Sequence, residues 1–171
     1  DLIKAFSINE SIQPVPKYQK DKLPLQRVVQ ILKRHRDMMF NGDKHKPISI
    51  IITTLASKAY QKETDILTAL CNIVDSMEDY IEEYDPHTGE QVKWIGNPVN
   101  DHENFADKWT ETPKKQENFY TWLNQVKQDV HNIIGQTQQR FIMESMKKSF
   151  GDKVVSKTFS NLGEKSRLLT E

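Results

Sequence analysis

From Leu23 onward the apolar positions recur with the period of an α-helix, and turn-forming residues divide the pattern into segments. LPLQRVVQILKRHRDMMF, Leu23 to Phe40, wound at roughly 100° per residue, places Leu25, Val28, Leu32 and Met39 on one face and Arg27, Gln30 and Arg34 opposite. Pro24 suits the first turn, where a missing N–H costs nothing, and Asn41-Gly42 is a natural stop because both residues tolerate the left-handed cap conformation. PISIIITTLASKAY, Pro47 to Tyr60, is ambiguous by pattern, since Ile48 to Thr54 is a β-branched run of the kind strands favour. Its length favours a helix. Wound that way, Ile48, Ile52, Leu55 and Ala59 align, while Ser49, Thr53 and Tyr60 form a hydroxyl row on an adjacent face. A buried hydroxyl row needs partners, either backbone carbonyls or a polar ligand.

The later segments read in the same way. Thr64 as N-cap and Asp65 as a first-turn acid open a helix carrying Ile66, Leu67, Leu70, Ile73, Val74, Met77 and Ile81 at helical spacing. Its acidic tail, Glu78, Asp79, Glu82 and Glu83, reads as a charged helix end rather than as metal ligands, because no His or Cys shares the spacing. Turn chemistry from Tyr84 to Glu90, with Asp85-Pro86 and Gly89, predicts one short hairpin returning through Gln91 to Ile95. Asn97 and Asn104 then mark an Asx-rich loop anchored by Phe105 and Trp109. Pro113 behind Thr112 starts a helix that buries Phe119, Trp122, Leu123, Val126, Val130, Ile133 and Ile134, with Gly135 ending or bending it. A further amphipathic segment carries Phe141, Ile142, Met146 and Phe150 with Gly151 as cap, and Val154, Val155 and Phe159 make a last short helix. The fold class predicted is mainly α: a helical bundle with at most one short β-hairpin. Pro14 and Pro16 make residues 1–22 an extended linker, residues 23–162 form the helical domain, and residues 163–171 are a flexible tail.

Composition narrows the function classes. Length, 171 residues, allows one domain with a proper core, and Lys+Arg 24 against Asp+Glu 24 creates no global field for nucleic acid or an anionic membrane. Any phosphate binding must be local, and sequence-specific nucleic-acid binding is not expected. The single cysteine, Cys71, excludes an internal disulfide and fits a reducing cytosol. No signal peptide is visible, and the longest apolar run is too short to span a bilayer, so a cytoplasmic location without membrane contact is expected. The chain starts at Asp1 without Met, as a fragment or processed chain does.

Two cations interrupt the first helix. Arg36 falls among its apolar positions, and Lys33 lies at the stripe's edge, where an aliphatic stem packs while the ammonium reaches out. The ordinary reading is a salt bridge to a carboxylate elsewhere in the chain. Lys44-His45-Lys46 is the one compact basic cluster, either solvated loop charge or a contact to phosphate or a neighbouring domain.

Together, LQRVVQILKRHRD and SIIITTLASKAY resemble the helical half of the bacterial CD-NTases, the cyclic-oligonucleotide synthases of CBASS anti-phage systems. These are relatives of oligoadenylate synthetase and cyclic GMP-AMP synthase within the polymerase β-like nucleotidyltransferases. The Asn97-to-Asn104 stretch and ENFADKW, Glu103 to Trp109, are similar to the same family. The resemblance implies that Lys33 contacts the donor triphosphate and that Ser49 contacts phosphate. Thr53 would line the nucleotide pocket and Arg36 would add charge there. Where several relatives follow this Ser with a stacking Tyr, the chain has Ile50. By the same resemblance, the partners are nucleoside triphosphates, an amino-terminal catalytic domain and CBASS accessory proteins.

The carboxylate array that such enzymes use to bridge two Mg²⁺ ions is missing, and no Gly-Ser pair occurs. Zinc spacing, a P-loop and a nucleophile elbow are missing too. Catalytic residues and bound metal are therefore not expected in this chain; Mg²⁺ and its ligands would belong to the catalytic domain. His35 and His45 flank the predicted pocket and read as structural. Two alternatives stand beside this: a helical protein-interaction module without a nucleotide role, and the helical part of a linear oligonucleotide synthase.

Overall fold

The computed structural model describes residues 23–153 and 156, without the side chains of residues 145, 146 and 148–150. The expected linker at 1–22, the tail at 163–171, and the apolar trio Val154, Val155 and Phe159 lie outside the described residues, as do the side chains of Met146 and Phe150.

Three helices come first: α1 (Pro24–Phe40), α2 (Ser49–Ala59) and α3 (Ile66–Ser76), the last running into a 3₁₀ turn at Met77–Tyr80. Pro24 occupies the first turn of α1, and Asn41 ends it in the left-handed conformation at φ 31°. The β-branched run of α2 is helical because tertiary burial outweighs a modest local preference: Ile51, Ile52, Leu55, Ala56 and Ala59 are all buried. Asp65, rather than Thr64, caps α3, its carboxylate accepting from the Leu67 and Thr68 amides.

The β structure comprises two small antiparallel pairs. β1 (Glu82–Tyr84) pairs with β2 (Gln91–Trp94), as the turn chemistry predicts, with Asp85 accepting from the His87 and Thr88 amides and Gly89 at φ 72°. A second pair, β3 (Gly96–Asn97) with β4 (Asn100–Asn104), stands where a loop was expected. Asn104 pins it: Oδ1 accepts from the Ile95 and Ala106 amides, both at 2.9 Å, and Nδ2 donates to the Lys93 carbonyl at 2.9 Å. The asparagine thus does the backbone bonding its sequence position indicated, across two strands as well as within a turn.

A short α4 (Lys108–Glu111) leads into α5 (Pro113–Phe150), a continuous helix of 38 residues. Gly135 neither ends nor bends it into separate elements; one glycine costs about 1 kcal/mol, too little to break a helix anchored by packing on one side. The core joins Val28 and Leu32 of α1 to the buried faces of α2 and α3, and to Phe119, Trp122, Leu123, Val126 and Val130 of α5. Met39, expected in the α1 stripe, is exposed, and Arg36 takes the buried position one turn after Leu32. Ile133, Phe141 and Ile142 of α5 are exposed as well, so the helix leaves the core beyond Ile134. No helix among the described residues is long and apolar enough to cross a membrane. The mainly α architecture matches the sequence reading, with two hairpins in place of one.

Candidate functional site

Arg36, Ser49 and Thr53 meet at one corner, where the end of α1 and the 41–48 loop meet the first turn of α2. Arg36 is 5% exposed and organises it. Its Nη1 donates to the Pro47 carbonyl at 3.0 Å and to Ser49 Oγ at 2.9 Å, and its Nε donates to Asp37 Oδ1 at 3.0 Å. Nη2 lies 2.9 Å from the same carboxylate oxygen. The guanidinium fork is therefore largely committed to protein acceptors, which is how a buried cation offsets its desolvation. Lys46 completes the group, its Nζ donating to Asp37 at 3.0 Å. This bond, with the neighbouring Arg36, holds the Asp37 carboxyl below its usual range even though desolvation opposes the shift.

Ser49 begins α2, and no side chain caps that helix start. Its hydroxyl accepts from Arg36, and its carbonyl accepts from Thr53 Oγ1 at 2.9 Å. Tyr60, the third member of the hydroxyl row, donates to the Glu63 carbonyl at 2.9 Å. Backbone carbonyls thus satisfy two of the three hydroxyls, and a buried guanidinium satisfies the third.

Lys33 sits one turn before Arg36 on α1 and is half-buried. It makes no ion pair and no hydrogen bond among the described residues. The salt bridge that would give a cation at this position a purely structural role is therefore not found there. Two residues on, His35 Nε2 donates to Asp129 at 2.8 Å, which lowers the Asp129 carboxyl below its usual range. The acids expected at a helix end lie beyond α3, Glu78 and Asp79 in the 3₁₀ turn and Glu82 and Glu83 in β1, with Glu78 pairing with Lys127 and Glu83 with Lys93.

The loop between α1 and α2 is held by Asn118 of α5, whose Nδ2 donates to the His45 carbonyl at 3.2 Å. Beside it lies a narrow cleft of about 40 Å³ whose lining includes Lys46, Ile48, Lys108, Trp109 and Lys115. Three lysines meet there from three segments. Sequence reading identified only Lys46, because no periodicity relates 46, 108 and 115.

No family model matches the chain. It is 32% identical over 136 residues to a c-di-GMP synthase of Roseivirga ehrenbergii, an alignment covering 77% of this chain and 35% of that protein. The chain thus spans about a third of the relative's length. Among solved structures, it is similar to the Bradyrhizobium diazoefficiens CD-NTase CdnG in complex with GTP, with a TM-score of 0.48 and 19% identity, over 82% of this chain and 40% of that one. The family resemblance carried by Leu23 to Tyr60 and the similarity to the c-di-GMP synthase point the same way.

Proposed function

We propose that this chain is the carboxy-terminal helical part of a CD-NTase-type enzyme and that it positions the donor nucleoside triphosphate. In this reading the Lys33 ammonium faces the β and γ phosphates, holding the donor in line and offsetting negative charge in the transition state. Ser49 assists from the uncapped start of α2, where free backbone N–H groups and the positive end of the helix favour an anion. Arg36 acts through Ser49, fixing its hydroxyl at 2.9 Å, so it is a positioning residue within the site. Thr53, tied to the Ser49 carbonyl, stiffens the same turn and lines the pocket wall.

The observation that carries the proposal is Lys33: a half-buried residue one turn from Arg36, without a carboxylate partner among the described residues. Mg²⁺ and the carboxylates that bind it would come from an amino-terminal catalytic domain, whose product would be a cyclic oligonucleotide second messenger. By family resemblance that messenger serves anti-phage defence in the bacterial cytoplasm, with CBASS accessory proteins as further partners.

In an enzyme joining this chain to its catalytic domain, Lys33→Ala lowers the rate of nucleotide incorporation by about 100-fold or more, while thermal stability stays nearly unchanged. Product chromatography and a melting curve read the two effects. Surviving activity together with a melting temperature several degrees lower would make Lys33 structural and end the proposal.

The second reading is a helical interaction module without a nucleotide role. It is favoured by the apolar side chains Ile133, Phe141 and Ile142 that the far half of α5 leaves exposed. Calorimetric titration with ATP and GTP separates the two readings, since only the first expects binding that Lys33→Ala abolishes.

A further inference from the structure

Away from the α1–α2 corner, three side chains of different chemistry meet where α3 packs on α5. Cys71 and Asp75 lie four residues apart and so share one face of α3; His131 comes from α5. Cys71 Sγ is 3.7 Å from Asp75 Oδ2, and His131 Nε2 is 2.8 Å from Asp75 Oδ1. All three potential donor atoms lie within 4.8 Å of one another.

From these three side chains we infer a transition-metal site of the Zn²⁺ class that ties α5 to α3. A tetrahedral Zn²⁺ with ordinary bond lengths separates a sulfur from an oxygen ligand by roughly 3.5 Å and a nitrogen from an oxygen ligand by roughly 3.3 Å. The 3.7 Å runs to Oδ2 and the 2.8 Å to Oδ1 of the one carboxylate, so the ion is admitted when the Asp75 carboxyl and the imidazole rotate out of their present hydrogen bond to present one oxygen and Nε2 to it. The donor set selects the metal: thiolate with imidazole and one carboxylate suits Zn²⁺ or Co²⁺ and disfavours Mg²⁺ and Ca²⁺, which prefer oxygen alone. Asp75 and His131 are exposed, leaving a path for entry and room for water as the fourth ligand. Cys71 also lines a cleft of about 420 Å³ with Thr68, Asn72, Ile134 and Gln138, so the site borders open space. On binding, the Cys71 thiol releases its proton to solvent and the thiolate donates to the metal. Burial and the adjacent Asp75 raise the thiol's pKa in the metal-free protein; the ion's own charge reverses that preference.

The test is a Co²⁺ titration of the reduced chain. Because Cys71 is the only cysteine, a thiolate-to-cobalt charge-transfer band in the near ultraviolet reports on this site alone. The expected result is a band that saturates at one equivalent, is displaced by Zn²⁺ and is absent in Cys71→Ser. In His131→Ala, Zn²⁺ affinity measured against a chromophoric chelator falls by about 100-fold or more. The double variant His87→Ala/His102→Ala removes the other metal-capable group among the described residues, His87 with Asp101 and His102, and leaves the band unchanged. If the folded wild-type chain, confirmed by circular dichroism, shows no charge-transfer band with excess Co²⁺, the assignment is overturned. It is overturned equally if His131→Ala binds Zn²⁺ as tightly as wild type.

Discussion

Replacing Arg36 by methionine separates its structural part from any direct role in phosphate binding. Methionine retains most of the apolar stem, so the loss concentrates in the guanidinium's bonds. Two of these, to the Pro47 carbonyl and the Ser49 hydroxyl, lie at the buried end of the group. Hydrogen bonds to a charged donor contribute about 1.5–3 kcal/mol each in such settings, and their acceptors are left unsatisfied when the donor goes. The Asp37 pair adds little, because that carboxylate is 40% exposed and its attraction is screened by solvent. Relief of the guanidinium's own desolvation offsets part of the sum, leaving an expected loss of about 3 kcal/mol. Arg36→Ala adds about 1.6 kcal/mol for the packing of the two methylenes beyond Cβ. In urea unfolding with a slope of about 2 kcal/mol per molar, Arg36→Met then moves the midpoint down by about 1.5 M, whereas Lys33→Ala moves it by less than about 0.3 M. Arg36→Lys keeps the charge but loses the planar fork, and falls between wild type and Met. If Arg36→Met unfolds within about 0.5 M of wild type, the guanidinium is not the strut between α1 and α2. Its place at the phosphate would then need to be considered afresh.

Three further outcomes are expected. Gly135→Ala stabilises the chain by about 0.5–1 kcal/mol in urea unfolding, since the residue lies inside α5 and an added Cβ meets nothing within 4 Å; a loss instead would argue for a break in the helix at that point. Asn104→Ala removes three backbone contacts at once and costs about 2–4 kcal/mol, with amide exchange accelerating first at Ile95 and Ala106. The depressed Asp37 carboxyl makes the α1–α2 corner acid-sensitive: its folded pKa lies below the unfolded value, so the stabilisation is complete above the ordinary carboxylate range and is lost as pH falls through the folded pKa. Asp37→Asn flattens that part of the acid unfolding profile, and an unchanged profile would show that Lys46 and Arg36 do not stabilise the ionised form.

Periodicity and capping residues alone determined much of the architecture. α1 with its Pro24 start and Asn41 stop, the first hairpin, and the Pro113 start of α5 follow from local rules that act within a few residues. The contacts of Arg36 with Ser49 and of Thr53 with Ser49 arise because two adjacent helices are joined by a short loop. The tertiary structure decided which of these groups are free. Arg36 is spent on Ser49, Pro47 and Asp37, whereas Lys33 has no such partner among the described residues, a distinction that depends on where one loop folds back and not on spacing. It also decided that Met39, Phe141 and Ile142 face outward and that α5 continues through Gly135. At Gly135 a local cost of about 1 kcal/mol yields to the burial of whole side chains on the core face of α5, each contributing about 1.5–3 kcal/mol. Sites assembled across the sequence, such as Cys71 and Asp75 with His131, exist only once α3 and α5 are packed together, because their spacing in the chain carries no signature of their meeting.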